Sequence, residues 1–176
     1  MAGVLLNSTD IRGYLQAVAD ALPPDGPQHV IIMVGGSLLT WHGLRDTTRD
    51  VDSVHRMDDE LKAAVAVVAG VHGLAPAWLN DNSAIYAPVT LKLSDCEVLL
   101  EHPRMLVRGA PLRQVFLMKV FAARARTSDR DDLVIMWPQI GYTPQEAADA
   151  FREAYPADPE DPYLIGWIEH IAAEAD

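Results

Sequence analysis

The run HVIIMVGGS, residues 29 to 37, constrains the fold of this chain more than any other stretch. Its unbroken apolar residues predict a short strand covered on both faces, because a half-exposed strand would alternate polar and apolar side chains. Gly35 and Gly36 break the strand, and "SLLTWHGL" predicts a short helix with Ser37 as its cap. A sheet containing such a strand needs helices to cover it. With 176 residues there is enough chain to supply them around one core.

The rest of the sequence supplies helices and short strands. "STDIRGYLQAVADAL" places Ile11, Leu15, Val18 and Leu22 at helical spacing behind Ser8 or Thr9 as cap, and Pro23-Pro24 ends it. "DVDSV" (50–54) alternates as a strand, and "DDELKAAVAVVAGV" (58–71) is a helix with acids in its first turn. The stretch from Gly73 to Val89 reads as a loop-rich connection. "TLKL", "CEVLLE" and "MLVRG" read as three short strands. Four helical patterns follow: "PLRQVFLMKVFAARAR" (111–126), "RDDLVIMWPQI", "TPQEAADAFREAY" capped by Thr143, and "DPYLIGWIEHIAAEA". The expected class is α+β (mixed α/β), a small mixed sheet with flanking helices and a helical C-terminal half. One domain is expected over 1–176, with a core at about 28–135 and a helical part at 136–176.

Charge and cysteine usage narrow the function classes. A net charge of −11 argues against a broad nucleic-acid-coating surface. Seven of the 14 Lys and Arg residues nevertheless fall between 104 and 130: Arg104, Arg108, Arg113, Lys119, Arg124, Arg126 and Arg130. Arg104, Arg108 and Arg113 are candidates for contacts to an RNA backbone. The single cysteine, Cys96, excludes a disulfide framework and fits a reducing cytoplasmic setting. No apolar run approaches the ~20 residues of a membrane helix, and the N-terminus does not read as a signal peptide. The expectation is a soluble cytoplasmic protein with no membrane partner.

Two weak chemical signals lie close together. A glycine pair followed by serine at a helix start offers outward backbone N–H groups to a phosphate. Asp50 and Asp52 are two residues apart, and in a strand such side chains share a face. Converging carboxylates repel unless a cation or proton intervenes, and hard oxygen ligands suit Mg²⁺. A plain turn and a strand-end cap would look the same.

Taken together, Gly36-Ser37, a gap of 12 residues, and Asp50-Val51-Asp52 resemble the motif of the DNA polymerase β-like nucleotidyltransferase superfamily. The fuller string "GGSLLTWHGLRDTTRDVDSV", with Gly35-Gly36, Arg45, Thr48 and the Asp pair, resembles the branch holding AbiEii-type and MenT-type toxin nucleotidyltransferases. The similarity extends through "PAWLNDNSA" and "LRQVFLMKVFAARARTSDRDDL", covering most of residues 30 to 135.

The resemblance implies transfer of a nucleoside monophosphate from an NTP to an acceptor hydroxyl. Asp50 and Asp52 would hold Mg²⁺, with Asp52 catalytic. Gly35, Gly36 and Ser37 would cradle the triphosphate. Lys119 would reach a phosphate, and Asp132, with Asp129 as neighbour, would complete the site. A third acid is usual in this superfamily, and Asp95, Glu97 and Glu101 compete for it. Ser53 stands where the family usually has a hydrophobic residue. In the toxin branch the acceptor is a tRNA 3′ end, and a cognate antitoxin protein would be the partner. Two other readings stand beside it: a non-catalytic binding or regulatory module of the same fold, and a transferase acting on a cationic small molecule of the aminoglycoside kind.

Overall fold

The protein is described by a computed structural model that covers residues 4–123 and 129–176. These form two compact units, and the chain passes between them three times. The first comprises Met1–Tyr86 with Cys96–Ala110, the second Ala87–Asp95 with Pro111–Asp176. The second therefore takes in residues 111–135, expected with the nucleotidyltransferase core.

In the first unit the apolar run forms strand β1 (His29–Val34), central in a five-stranded mixed sheet. The other strands are β2 (Val51–Ser53), β3 (Leu79–Asn80), β4 (Glu97–His102) and β5 (Met105–Gly109), in the order β3-β2-β1-β5-β4. β1 pairs parallel with β5 over its length and antiparallel with β2 at its end, where Val34 faces Asp52. Ile31, Met33, Met105 and Val107 are fully buried, as the unbroken apolar pattern of a central strand requires. β4, at the sheet edge, is mostly exposed and carries a register shift between Val98 and Leu100.

Helix α1 (Ser8–Ala21) begins one residue before the expected caps. Asn7 caps it, accepting the Asp10 N–H at 2.9 Å, while the Asp10 carboxylate accepts the Asn7 N–H. Helix α2 (Gly35–Trp41) follows β1 without a loop, and α3 (Asp59–His72) is capped by Asp58 and stopped by Gly73 at φ +64°. Two expectations for this half differ from the fold. "TLKL" is a turn running into a 3₁₀ turn at Leu93–Asp95, and β3 lies inside the stretch read as loop. A two-residue strand has no period to detect; parallel pairing with β2 creates it.

The second unit is helical: α4 (Leu112–Ala123), α5 (Arg130–Ile140), α6 (Pro144–Ala154) and α7 (Leu164–Ala175). Thr143 and Glu146 form a reciprocal capping box that starts α6, as Thr-Pro-Gln-Glu predicts. Val115, Phe116, Leu133, Met136, Ala147, Ile168 and Ile171 are 0% exposed, so each helix contributes one apolar stripe to the packing. The class is α+β with a helical C-terminal half, as expected. Among the described residues no helix is long and apolar enough to cross a membrane.

Candidate active site

The glycine turn and the aspartate pair meet in the first unit. Gly35 has φ +66°, a conformation that L side chains adopt only with strain, and a Cβ there would stand 3.2 Å from Asp52 Oδ2. A Cβ on Gly36 would stand 2.9 Å from Arg45 Nη1 and 3.2 Å from Thr48 Oγ1. Each glycine thus leaves room for a different polar arm of the site. The antiparallel register sets Asp52 opposite Val34, the residue that caps α2, so its carboxylate reaches the turn.

The loop carrying Arg45 and Asp50 is fixed at Thr48. Its backbone exchanges hydrogen bonds with Leu6 at 2.7 and 2.9 Å, and its hydroxyl donates to the Asp50 carbonyl at 3.1 Å. Arg45 and Thr48 belong to the resemblance string without an assigned role. Contact with Gly36 is what marks them, and only the folded loop reveals it.

Electrostatics at Asp50 run against its charge. Burial pushes its carboxyl above the ordinary value of 3.8, and Arg45 and Arg49 offset this only in part. A bound cation would relieve that cost. Among the described residues, no three His, Cys, Asp or Glu side chains are placed to hold a metal ion. Of the two aspartates, Asp52 is the one whose carboxylate stands against the turn, and Asp50 lies two residues before it in the chain. This pair fits Mg²⁺ shared with substrate phosphates and water, and it does not fit an all-protein metal cage.

Ser37 does not serve the turn as expected. It is the third residue of α2, 0% exposed, and its hydroxyl donates to the Val34 carbonyl at 2.9 Å. An approaching phosphate would meet the backbone N–H groups of the first helical turn, which have no intrahelical acceptor, before it met this hydroxyl.

Lys119, Asp129 and Asp132 are brought together in the second unit. Lys119 stands on the inner side of α4 and is 8% exposed. Its ammonium lies 2.9 Å from Asp129 Oδ1 and 2.7 Å from Asp132 Oδ2, linking α4 to the start of α5. The geometry is that of a buried ion-pair cluster with more acid than base.

Of the three competing acids, Glu97 opens β4 opposite Gly109, which pairs with Met33 near the glycine turn, and it bonds His42 at 2.7 Å. Glu101 lies farther along β4, opposite Leu106. Asp95 belongs to the second unit and accepts the Ser94 hydroxyl.

The three arginines named as candidates for RNA contacts donate to backbone carbonyls. Arg104 is 3% exposed and donates to the carbonyls of Pro23, Asp25 and Pro27 and to Glu60 at 2.5 Å. His29 completes this cluster, with its ring nitrogens 3.0 Å from Asp58 and 2.8 Å from Glu60. Arg108 donates to the Cys96 carbonyl at 2.9 Å. Arg113 donates to the Ile140 carbonyl at 2.7 Å and lies over the Tyr142 ring. Arg124 and Arg126 lie outside the described residues.

No family model matches the chain, and no curated protein or solved structure matches it.

Proposed function

We propose that the protein is a Mg²⁺-dependent nucleotidyltransferase, a single nucleotidyltransferase-like domain over residues 1–176 that works in the cytoplasm. The supporting observation is the closeness of the two halves of the motif: a Cβ on Gly35 would stand 3.2 Å from Asp52 Oδ2, in a register that sets Asp52 opposite Val34. In this reading the backbone of Gly35 and Gly36 receives the triphosphate, with Ser37 holding the turn in shape from inside. Arg45 draws negative charge toward the turn. Asp50 and Asp52 supply the carboxylates for Mg²⁺, which when bound would neutralise charge developing at the α-phosphorus. Lys119 and Asp132, to which the resemblance gives a phosphate-reaching and a catalytic role, are paired with each other within the second unit.

The acceptor in this reading is a hydroxyl at a tRNA 3′ end, with a cognate antitoxin protein as partner; its support is the resemblance of residues 33–54 to the toxin branch. A second reading replaces tRNA with a cationic small molecule of the aminoglycoside kind. It is favoured by the net charge of −11 and by the commitment of Arg104, Arg108 and Arg113 to backbone carbonyls. A non-catalytic module of the same fold would keep the turn and lose the transfer.

The test is incubation with each α-labelled NTP, Mg²⁺ and either total tRNA or an aminoglycoside, alongside Asp52→Ala. Label in the tRNA that vanishes in the variant supports the first reading; label in the small molecule supports the second. Failure of every NTP to bind in the presence of Mg²⁺ sinks both.

A further inference from the structure

Three segments of the first unit meet at Thr48, which is 4% exposed. Its backbone exchanges hydrogen bonds with Leu6, the residue before the Asn7 cap of α1, so the loop after α2 is fastened to the start of a helix. Its hydroxyl donates to the Asp50 carbonyl at 3.1 Å. The far side of that same peptide is fixed as well, because the Val51 N–H donates to the Trp78 carbonyl at 2.6 Å. The C=O and N–H of a trans peptide point in opposite directions, so the plane joining Asp50 to Val51 is held from two sides. The third segment is the glycine turn. A Cβ on Gly36 would stand 3.2 Å from Thr48 Oγ1, so the hydroxyl that holds Asp50 also borders the turn.

We propose that Thr48 is a positioning residue: its hydroxyl fixes the backbone of Asp50 beside the glycine turn, and through Asp50 it strengthens binding of a nucleoside triphosphate with Mg²⁺. This rests on the nucleotidyltransferase reading. Mg²⁺ demands short bonds in near-octahedral geometry, so a carboxylate that shares it with phosphates works over a narrow range of positions. Releasing the Asp50 carbonyl frees that peptide to turn and carries the carboxylate with it. Thr48 does this without touching the ligand. A threonine with a purely structural duty would move stability and leave the Mg²⁺ dependence alone.

Calorimetric titration of the full chain with each of the four NTPs at stepped Mg²⁺ concentrations tests the proposal. Thr48→Val keeps the shape of the side chain and loses the donor; Thr48→Ser keeps the donor. The valine variant should need about fivefold more Mg²⁺ for half-maximal NTP binding, the worth of one hydrogen bond, and the serine variant should stay within about twofold of the wild type. Both changes disturb a buried side chain, so an equal effect in both is structural and overturns the proposal. In the metal-free protein the Val51 amide should exchange its hydrogen about fivefold faster in the valine variant than in the serine variant. Equal exchange also overturns it. Circular dichroism checks the fold, and Thr48→Ala replaces the valine variant if that one does not fold. If the wild-type chain binds no NTP, the nucleotidyltransferase reading falls and takes this role with it. If it binds and Thr48→Val shows the same Mg²⁺ dependence, the role falls and the reading stands.

Discussion

Two acidic residues of the first unit, Glu60 and Asp50, are shifted in opposite directions. Glu60 sits at the start of α3, where hydrogen bonds from His29 and Arg104 outweigh desolvation and hold its carboxyl below the ordinary 4.5. Asp50 sits before β2, where burial outweighs the attraction of Arg45 and Arg49 and holds its carboxyl above 3.8. The first carboxylate has its cations supplied by the fold. The second is kept at a desolvation cost that an added cation would reduce. Lys119 with Asp129 and Asp132 resembles the Glu60 arrangement: its charges face one another and lie inside the fold.

The contrast is broken most forcefully by deleting the cation of a closed cluster. Lys119→Met should cost about 3–5 kcal/mol in denaturant unfolding, because it removes the cation held between two carboxylates, one of them 5% exposed; Lys119→Met with Asp132→Asn should recover part of that. A loss below about 1 kcal/mol would mean that Lys119 is not structural. Arg104→Met should cost roughly 2–4 kcal/mol by the same measurement, since it leaves the inward carbonyls of Pro23, Asp25 and Pro27 without their donor and Glu60 with His29 alone.

Smaller effects sharpen the open side of the comparison. Gly35→Ala should cost about 1–2 kcal/mol from its positive φ alone, and more if Asp52 must move. Asp50→Asn should raise Tm at neutral pH. An acid whose folded value is raised loses stability as pH climbs from 3.8 through that value, so the gain should fade below this window. Lower stability at pH 7 would contradict the burial argument. Glu60 works in the other sense. Its contribution is complete above 4.5 and is lost as pH falls through its depressed folded value, so Glu60→Gln should flatten the acid limb of the stability curve.

What could be read in advance was local. β1, its glycine stop, α3 and the Thr143 box are written in adjacent residues: an unbroken apolar run, acids in a first turn, and a cap three residues from its partner. The proximity of the glycine turn and Asp52 follows from the antiparallel pairing of β1 with the next strand in the chain, across α2 and the loop after it. What could not be read was distant in sequence. Arg104 looks like a surface cation until the carbonyls of Pro23, Asp25 and Pro27 and the α3 carboxylate close around it. Gly26, at φ +136°, clears that space, for a Cβ there would stand 2.6 Å from the guanidinium. The burial of Lys119 was unreadable for a similar reason, since its partners Asp129 and Asp132 lie at the start of the next helix. β3 is too short to carry any pattern of its own.

The parallel pairing of β1 with β5 has a consequence for the order in which the chain is made. The apolar strand leaves the ribosome before its partner Met105–Gly109, which follows only after two α-helices, two strands and the sheet edge have emerged. Until then one side of HVIIMV has no backbone partner, and it is the segment with the strongest tendency to pair with another nascent chain. A ribosome paused before Gly109 holds a protein whose central strand is half-finished, so codon pace and chaperone access over that interval govern how much of the product folds.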